Sequence, residues 1–412
     1  MKILVLNAGS SSQKSRLYKI GETLPQEAPQ PLWSADADWM QHSGALTYTI
    51  TTAQGATLRR EGRADSRRAA LEQMLETLWS GQTKVIAGPQ DINMVGHRVV
   101  QGGPDYTHSV LVTPAVKAEI QRLSAWAPLH NPLNLEGINA AEQLLPGIPE
   151  VAVFDTAFHC QIPLPIAIYP GPYAWYEQGI RRYGFHGISY QYCTRRASRL
   201  LNREAGALRL IACHLGNGCS LAAIEGGRSI DTSMGFTPLE GLMMGTRSGS
   251  VDPGILIYLL REHGYSADQF DQLLNKQSGL LGISGVSSDM REVMAARAAG
   301  NERATLAFDM FIHRLRFYIG AMLATLGGLD ALIFTAGIGE HSPEVRAAAC
   351  AHFAFLGLKL DEEQNARSPV DQNIAAPDSS MPVLVIHTEE DWEIARECWQ
   401  LAHDNPNLPG TA

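Results

Sequence analysis

The chain has 412 residues and a net charge of −9, with 18% charged and 45% hydrophobic residues. This length and composition are typical of a folded protein with two domains, each large enough to bury its own core. The acidic balance and the lack of a long basic run argue against a nucleic-acid partner.

The first part of the chain alternates strand-like and helix-like segments. Residues 3–6 form a short apolar run, and residues 66–79 repeat apolar side chains at helical spacing. Thr113 followed by Pro114 is a typical helix start, with a capping hydroxyl and a proline in the first turn. Residues 21–60 are less regular and predict short strands joined by surface loops. We predict helices at 66–79, 113–126 and 134–145, and strands at 3–6, 46–51, 95–100 and 151–154.

The second part of the chain repeats this alternation. Residues 219–224 and 228–231 flank a Glu-Gly-Gly turn and predict a β-hairpin. Ser342 and Pro343 predict the start of another helix. We predict strands at 208–214, 331–335 and 383–387, and helices at 254–262, 289–299, 302–326 and 390–402. Such alternation is typical of the α/β class, in which sheets are buried between helices.

The sequence predicts neither export nor insertion into a membrane. Only four apolar residues precede Asn7 after Lys2, too few for a signal peptide. The longest apolar stretch, 315–338, contains Arg316 and Asp330, so we predict a helix and a strand there and not a membrane span. None of the six cysteines has C-x-x-C or zinc-site spacing, which predicts reduced thiols and a cytoplasmic location.

The segment after the first predicted strand is the most informative part of the chain. It reads Asn7-Ala8-Gly9-Ser10-Ser11-Ser12-Gln13-Lys14. A glycine permits a tight turn, main-chain N–H groups and serine hydroxyls can donate to phosphate oxygens, and Lys14 adds a positive charge. Taken alone, the segment is equally compatible with a phosphate-binding loop and with an ordinary polar β-turn.

A second strand of similar build favours the phosphate-binding interpretation. Residues 210–214 are apolar up to His214 and lead into Leu215-Gly216-Asn217-Gly218-Cys219-Ser220. Two such units about 200 residues apart indicate a duplicated architecture with one nucleotide between the halves. The sequence contains no P-loop motif, and its nearest approach to the dinucleotide-binding pattern G-x-G-x-x-G, at 337–342, ends in serine.

Further motifs occur in an order that is specific, although each of them is weak alone. They are His97-Arg98-Val99-Val100 with Gly102-Gly103, Phe154-Asp155-Thr156-Ala157-Phe158-His159, Arg182-Tyr183-Gly184-Phe185-His186-Gly187, the loop from His214 to Gly218, Met244-Gly245-Thr246-Arg247-Ser248-Gly249, Ser288-Asp289-Met290-Arg291 and Gly337-Ile338-Gly339-Glu340. Over its whole length the chain therefore resembles the acetate kinase family, within the larger group of sugar kinases, Hsp70-type ATPases and actin.

The resemblance implies a fold of the α/β class. It has two duplicated actin-like (ribonuclease H-like) domains, each with a mixed sheet flanked by helices, and an active site in the cleft between the domains. The resemblance also implies that the C-terminus returns to the first domain, so that residues 1–155 and 390–412 form one domain and residues 156–389 the other. A homodimer is the assembly that it implies.

The reaction implied by the resemblance is the reversible, Mg²⁺-dependent transfer of the γ-phosphoryl group of ATP to acetate, giving acetyl phosphate and ADP by direct in-line displacement. A carboxylate titrates near ~4 and is already ionised at pH 7, so the reaction needs no strong base. It needs accurate positioning and cations around the transferring group. By resemblance, Arg98 and Arg247 bind the carboxylate and the phosphoryl group, because a guanidinium is always charged and can bind two oxygens. The alternative interpretation is that Arg98 and Arg247 are ordinary surface arginines without a role in the reaction.

The resemblance assigns roles to three further polar residues. His186 stabilises charge on the phosphoryl oxygens, and His214 contacts phosphate. Asp155 lies near the metal and the acyl substrate; because acetate needs no deprotonation, we predict that Asp155 orients Mg²⁺-bound water and the arginines. A lone histidine is more often a core or capping residue, which is the alternative for His186.

The remaining site residues also follow from the resemblance. Asn7 and Glu390 match metal-associated positions, for Mg²⁺ or Mn²⁺. The nucleotide, ATP or ADP, is bound by Ser10, Ser12, Lys14, His214, Leu215, Gly216, Asn217, Gly218, Asp289, Met290, Arg291, Gly337, Ile338, Gly339, Glu340 and His341. The acyl group lies in a pocket formed by Arg98, Val100, Leu129, Phe185 and Pro238. Ordinary core packing is the alternative for the four apolar members of this pocket.

Four positions depart from the family pattern. They are Gln13, where an apolar residue or serine is usual, Gln101 in place of histidine, His341 in place of asparagine, and Glu389 in place of asparagine. His341 belongs to the predicted nucleotide site, so this departure affects the inference about nucleotide affinity. Glu389 belongs to the predicted metal site, so it affects the inference about metal preference. None of the four removes a charged group from the proposed chemistry.

Two rival interpretations are open at this point. The nearer is a short-chain acyl kinase that favours propionate or butyrate. The other is an actin-like or Hsp70-like ATPase that binds protein and uses ATP as a conformational switch. A switch ATPase has no need for a pair of arginines that bind a carboxylate, so Arg98 and Arg247 favour the kinase.

Overall fold

The computed structural model describes residues 1–8, 12–40, 44–367 and 369–405, apart from the side chains of Ser12 and Met40. Within these ranges the chain divides into two compact units. Unit 1 comprises Met1–Ala157 together with the described residues from Glu389 onward, and unit 2 comprises Phe158–Thr388. No helix in these ranges is long and apolar enough to cross a membrane.

Each unit contains one β-sheet. The strands of unit 1 are β1 (Lys2–Ala8), β2 (Ser12–Lys19), β3 (Trp33–Met40), β4 (Ala45–Thr52), β5 (Thr57–Arg63), β6 (Met94–Val99), β7 (Val110–Leu111) and β8 (Glu150–Phe154). The strands of unit 2 are β9 (Arg209–Leu215), β10 (Cys219–Glu225), β11 (Arg228–Thr232), β12 (Ala331–Thr335), β13 (Gln372–Asn373) and β14 (Val383–Val385).

Helices join these strands. In the first segment of unit 1, Met1–Ala157, the helices are α1 (Arg67–Glu76), α2 (Pro114–Arg122) and α3 (Asn131–Leu144). Those of unit 2 are α4 (Leu164–Ala167), α5 (Tyr173–Glu177), α6 (Gly187–Leu200), α7 (Pro253–His263), α8 (Ala267–Lys276), α9 (Gly279–Ser284), α10 (Met290–Ala298), α11 (Glu302–Leu326), α12 (Ala336–His341), α13 (Pro343–Ala351) and α14 (Glu362–Ala366). The chain then returns to unit 1 with α15 (Glu390–Asp404).

The two sheets repeat one strand order. Among the described residues, the order is β5-β4-β3-β2-β1-β6-β8-β7 in unit 1 and β11-β10-β9-β12-β14-β13 in unit 2. In unit 1, β1 pairs antiparallel with β2 and parallel with β6. In unit 2, β9 pairs antiparallel with β10 and parallel with β12. The predicted α/β fold with two mixed sheets is therefore confirmed.

Burial of the strands follows their place in the sheet. The central strands β1 and β8 are buried along almost their whole length, and β4 alternates between buried and more exposed residues. Helix α15 packs directly on the sheet of unit 1 at Gly96. A methyl group built on Gly96 would lie 2.6 Å from Cys398 Sγ and 2.7 Å from Ile394 Cγ2, so only glycine permits this approach. The close packing places the start of α15 at the ends of the central strands.

Most predicted elements with local signals are confirmed. Helix α11 spans the predicted residues, and Thr113 caps α2 by accepting a hydrogen bond from the Val116 N–H at 3.3 Å. The strand predicted at 46–51 is confirmed as part of β4, and β3 is a further strand within residues 21–60, which pairs with β4 in continuous register. Sequence reasoning missed α6, because the residue before it, His186, has a left-handed backbone and no capping side-chain hydrogen bond.

Candidate active site

A buried ion pair lies at the ends of two neighbouring parallel strands in unit 1. Strand β6 places Arg98 opposite Val153 of β8, and Asp155 directly follows β8. Arg98 Nη2 donates to Asp155 Oδ2 at 2.5 Å, and Arg98 Nε lies 3.1 Å from both carboxylate oxygens. Asp155 is buried, whereas the Arg98 side chain is 19% exposed. Asp155 thus engages two guanidinium nitrogens of Arg98, Nε and Nη2.

Surrounding carboxylates fix the charge of Arg98. Burial alone would lower the pKa of Arg98, but Asp155 foremost and then Glu390 raise that pKa above the ordinary value of an arginine. Asp391 adds a further contribution of the same sign. Arg98 is therefore a permanent cation held at the end of the sheet, as the binding of a carboxylate or a phosphoryl group requires.

The acidic start of α15 lies against the first two strands of unit 1. Asn7 Nδ2 donates to Asp391 Oδ1 at 2.8 Å, and Arg16 Nε lies 3.6 Å from Asp391 Oδ2. Glu390 is the first residue of this helix. Sequence reasoning named Asn7 and Glu390 but missed Asp391 and Arg16. The available signal was the cluster of acids in the first turn of the predicted helix, which includes Glu393.

The oxygen donors in this part of unit 1 suit a hard cation such as Mg²⁺. Asn7, Asp155 and Glu390 offer oxygen atoms, and Mg²⁺ takes only one or two protein oxygens because it keeps several waters. Among the described residues, no group of three or more His, Cys, Asp or Glu side chains is arranged to hold a metal by itself. The donor set therefore fits an ion bound partly by protein and partly by phosphate and water.

The first predicted phosphate loop is described only in part. Ser10 lies outside the described residues, as does the side chain of Ser12. Lys14 is exposed on strand β2, where it pairs across the hairpin with Asn7. The prediction that Lys14 belongs to a loop is therefore wrong, because the β1–β2 pairing continues further towards the turn than the polar sequence suggests.

Two apolar residues of the predicted acyl pocket belong to unit 1. Val100 follows β6 and is buried, and its N–H donates to Asn134 Oδ1 at 3.2 Å. Leu129 is half-buried and precedes α3. Gln101, which departs from the family pattern, is fully buried, and its Oε1 accepts a hydrogen bond from the Gly103 N–H at 3.0 Å. Gln101 thus stabilises the turn that follows Val100.

Two predicted histidines stack on each other in unit 2. The ring centroids of His186 and His214 are 4.1 Å apart, and the rings are inclined by 16°. His186 Nδ1 lies 2.8 Å from Ser220 Oγ, and His214 Nδ1 lies 2.9 Å from Ser189 Oγ. Each ring is oriented through its Nδ1, so that its Nε2 lies on the opposite side from the serine.

The backbone of His186 adopts a conformation that is uncommon for residues other than glycine. Its φ is 59°, in the left-handed region, directly before the first residue of α6. Such conformations cost on the order of 1 kcal/mol and concentrate at functional sites. The Tyr190 hydroxyl on the same helix lies 2.5 Å from Ser220 Oγ, which also contacts His186. Sequence reasoning quoted Ser220 only as the last residue of the second predicted phosphate loop, and it missed Tyr190, whose signal was nearness in sequence to a matched motif.

The second predicted arginine lies in a glycine-rich loop of unit 2. Arg247 Nη1 donates to the Pro238 carbonyl oxygen at 3.1 Å. A methyl group built on Gly218 would lie 3.5 Å from His186 Nε2 and 3.6 Å from Arg247 Nη1. Gly218, His186 and Arg247 therefore surround one small volume at the end of the second predicted phosphate loop.

A buried histidine fixes Phe185, one of the predicted pocket residues. His159 Nε2 must donate to the Phe185 carbonyl oxygen, 3.0 Å away, because a carbonyl only accepts. In the neutral ring, His159 Nδ1 then accepts from the Ser229 hydroxyl at 2.7 Å. Burial lowers the pKa of His159 to about 4. His159, which sequence reasoning quoted only as part of a motif, is thus neutral at pH 7 and holds the main chain beside His186.

Three predicted nucleotide-binding segments line one pocket of about 690 Å³ in unit 2. Its lining consists of Gly216, Asn217, Ser288, Asp289, Met290, Arg291, Met294, Gly337, Ile338, His341, Ser342 and Glu344. This volume lies within the range of about 300–1,000 Å³ that is usual for small-molecule sites. Met290, Met294 and Ile338 supply apolar surface beside polar groups, as a nucleoside requires. Four of these lining residues were not among the predicted nucleotide residues: Ser288, Met294, Ser342 and Glu344.

Other predicted nucleotide residues support this pocket without lining it. Leu215 and Gly339 are buried. The Glu340 carboxylate is also buried; it accepts from the Ala336 N–H at 2.8 Å and lies 2.6 Å from His387 Nδ1. Glu340 therefore stabilises the start of α12, where Ala336 has a φ of 65°.

The chain matches one protein family over almost its whole length. A sequence model of the acetokinase family matches residues 2–396. The acetate kinase of Cyanothece sp. is 61% identical over 405 residues, which cover 98% of this chain and 99% of the relative. The acetate kinase of Nostoc punctiforme is 61% identical over 402 residues, which cover 97% and 99% of the two chains.

Solved structures give the same result. The acetate kinase of Porphyromonas gingivalis superposes with a TM-score of 0.88 at 40% identity, covering 97% of this chain and 99% of that chain. A propionate kinase from Francisella tularensis superposes with a TM-score of 0.87 at 38% identity, covering 96% and 98%. The chain therefore belongs to the acetokinase family.

Proposed function

We propose that this chain transfers the γ-phosphoryl group of ATP reversibly to acetate, giving acetyl phosphate and ADP by direct in-line displacement. The proposal rests on the position of the loop at 216–218 in unit 2. Gly216 and Asn217 line the nucleoside-sized pocket, and Gly218 adjoins His186 and Arg247. A triphosphate that follows this loop would pass from the pocket to two side chains suited to negative charge.

The ion pair of unit 1 supports the acyl half of the reaction. Acetate is ionised at pH 7, so it needs a cation and not a base. Asp155 accepts hydrogen bonds from Arg98 through Nε and Nη2, which fixes the plane of the guanidinium. We therefore assign to Asp155 the orientation of Arg98, and to Arg98 the binding of the carboxylate or of the transferring phosphoryl group.

We propose Mg²⁺ as the metal, with Mn²⁺ as the alternative, and Asn7 and Glu390 as the residues that hold it directly or through water. When bound, the ion would neutralise charge on the phosphates. Asn7 donates through Nδ2 to Asp391, so its Oδ1 lies on the other side of the amide and can serve as a metal ligand. Glu390 begins α15, where main-chain N–H groups also favour negative charge.

We propose a homodimer formed through helix α7. No residue of this helix is buried, whereas helices in proteins gain most of their stability from packing an apolar face. Its exposed apolar side chains include Ile255, Ile257, Tyr258 and Leu260. In analytical ultracentrifugation, Leu260→Asp should shift the protein towards monomer, whereas Phe355→Asp, at a residue 77% exposed elsewhere in unit 2, should not. A monomeric wild type would contradict the proposal.

We also propose a cytoplasmic location. All six cysteines lie within the described residues as free thiols, and five of them are buried. Free thiols are typical of proteins in a reducing compartment.

The function is tested by incubating the purified protein with ATP, Mg²⁺, acetate and hydroxylamine, which traps acyl phosphates as hydroxamates. We expect acetyl hydroxamate and an equal amount of ADP, with no ADP release when acetate is omitted. ADP release without any carboxylate would favour the switch ATPase. A higher kcat/KM for propionate or butyrate would favour the short-chain acyl kinase, which the similarity to the Francisella propionate kinase keeps as the second candidate.

A further inference from the structure

One carboxylate in unit 2 joins three separate segments of the chain. Glu240 Oε2 accepts from the Tyr169 hydroxyl at 2.5 Å, and Glu240 Oε1 accepts from Arg182 Nη2 at 2.7 Å. The Arg182 guanidinium also lies over the Tyr169 ring, 5.7 Å from its centroid. Tyr169, Arg182 and Glu240 therefore form a cluster, the Glu240 cluster, outside the residues already assigned to catalysis or binding.

Main-chain groups complete the Glu240 cluster. The Phe236 N–H donates to the Tyr169 hydroxyl oxygen at 2.8 Å. Arg182 Nη1 donates to the carbonyl oxygens of Thr232 and Met234 at 3.0 and 2.9 Å. The side chains thus hold the main chain from 232 to 236 as well as each other, and the removal of one of them leaves a polar group without its partner.

Gly235 shows how closely this cluster is packed. A methyl group built on Gly235 would overlap both the Glu240 carboxylate and the Tyr169 hydroxyl. The Gly235 carbonyl oxygen accepts from the N–H groups of Tyr183 and Gly184 at 3.1 and 3.3 Å. The segment at 182–184 and the segment at 232–240 are therefore fixed relative to each other at the position of the cluster.

Both fixed segments lead directly to residues of the proposed site. Tyr183 and Gly184 precede Phe185 and His186. The other segment contains Pro238, whose carbonyl oxygen accepts from Arg247. A displacement of one segment against the other would change the distance between Phe185 and Pro238, and with it the position of Arg247.

We propose that Tyr169, Arg182 and Glu240 are positioning residues, which set the size of the acyl subsite and the place of Arg247 by holding the Phe185 segment against the Pro238 loop. The inference rests on the proposed function. None of the three residues has to touch the substrate. Tyr169 acts through hydrogen bonds, and Glu240 and Arg182 act through hydrogen bonds and their ion pair.

The test uses full-length Tyr169→Phe and Glu240→Gln, with Tyr173→Phe as the matched control. Tyr173 is 62% exposed four residues from Tyr169, so its hydroxyl can be removed without touching the cluster. For both cluster variants we expect the KM for acetate to rise about tenfold, the scale of one lost hydrogen bond to a charged group, and the KM for ATP to stay within about twofold. The preference for acetate over propionate should fall, and Tyr173→Phe should behave as wild type.

A double variant and an activity-independent measurement complete the test. Because Tyr169 and Glu240 share one hydrogen bond, the double variant Tyr169→Phe/Glu240→Gln should raise the KM for acetate less than the product of the single effects. Amide hydrogen exchange should become faster at 183–187 and 235–247 in Tyr169→Phe and not in Tyr173→Phe.

Three results would overturn the inference. The first is a cluster variant that is active and has an unchanged KM for acetate and an unchanged acyl preference. The second is an equal rise of the KM values for acetate and ATP together with a general loss of stability. The third is unchanged amide hydrogen exchange at 183–187 and 235–247. A wild type that forms no acyl phosphate would overturn the proposed function instead. In that case hydrogen exchange alone would still decide whether the Glu240 cluster holds the two segments.

Discussion

The two sheets share a strand order but place different chemistry at equivalent positions. Asn7 lies near the end of β1 opposite Lys14, and His214 lies near the end of β9 opposite Ser220. Around Asn7, unit 1 assembles charged side chains, with an ion pair between Arg98 and Asp155. Around His214, unit 2 assembles imidazole rings and hydroxyl groups. The repeated sheet provides the same strand ends twice, and the residues at those ends determine which ligand each can bind.

The difference has an energetic consequence. A buried carboxylate depends on its cationic partner, and the removal of one member of a buried pair costs more than the removal of a neutral hydrogen bond. We therefore expect substitutions at the unit 1 pair to reduce both stability and turnover. Substitutions at the proposed phosphoryl-binding residues of unit 2 should reduce mainly turnover.

The largest effects are expected for the two arginines. Arg98→Ala should lower kcat by roughly 10²–10³, because a preorganised cation is lost, and should lower the free energy of unfolding by about 3 kcal/mol because the buried Asp155 loses its partner. Arg247→Ala should lower kcat by a similar factor with a smaller loss of stability, since its carbonyl partner belongs to the half-buried Pro238. Steady-state kinetics and urea unfolding measure both quantities.

A second substitution sharpens this comparison. Adding Asp155→Asn to Arg98→Ala should restore part of the lost stability, because the unpaired charge is removed, without restoring turnover. If Arg98→Ala and Arg247→Ala lost the same amount of stability, the proposed difference between the two units would be wrong. Near wild-type turnover in either variant would show that its arginine is not needed for the reaction.

The pH dependence of stability should report on a buried histidine of unit 2. Burial lowers the pKa of His159 from 6.5 to about 4. Its contribution to stability is therefore complete above pH 6.5 and is lost as the pH falls towards 4, because the unfolded chain binds the proton first. The loss should reach about 3 kcal/mol at pH 4, and His159→Gln should remove it. Parallel unfolding profiles for wild type and variant at pH 7, 6 and 5 would contradict this assignment.

Acyl selectivity should respond to Val100 in unit 1. Val100→Ala removes two methyl groups, so we expect propionate to be used better and the acetate-to-propionate ratio of kcat/KM to fall about tenfold, since one methylene is worth about 1–3 kcal/mol in such a pocket. Val99→Ala is the matched control, because Val99 is the preceding buried residue and packs in a core cluster with Phe154 and Ile138. It should reduce stability and leave the ratio unchanged. An unaltered ratio in Val100→Ala would place this residue in the ordinary core.

The smallest effect is expected at the proposed metal ligand of unit 1. Glu390→Gln should weaken the apparent affinity for Mg²⁺ several-fold, and that for acetate less, because a hard anionic oxygen is replaced by a neutral one. Titration of Mg²⁺ at saturating ATP and acetate measures this shift. Glu397→Gln on the same helix is the control, since Glu397 accepts a hydrogen bond from Ser109. If wild type and Glu390→Gln depended on Mg²⁺ in the same way, Glu390 would not be a metal ligand and would have only a structural role at the start of α15.

The sequence by itself determined the features that depend on neighbouring residues. Thr113 with Pro114 predicted the start of α2, the turn at Gly226 and Gly227 predicted the β10–β11 hairpin, and apolar spacing predicted α11. Capping, turn formation and helical periodicity involve groups a few residues apart, so their signals are present in a short window. The ordered motifs likewise indicated the family and the residues Arg98, Asp155, His186 and Arg247.

Only the tertiary structure decided which side chains support these residues. Asn7 and Asp391 are hydrogen-bonded although 384 positions separate them, and Glu240 meets Tyr169 across 71 positions. Such partners are chosen by the packing of strands and helices and not by any local pattern. The strand position of Lys14 was decided by pairing on both sides, with Asn7 of β1 and Asp36 of β3, and the left-handed backbone of His186 by its place before α6, because strand pairing and packing outweigh the local preference of a few residues.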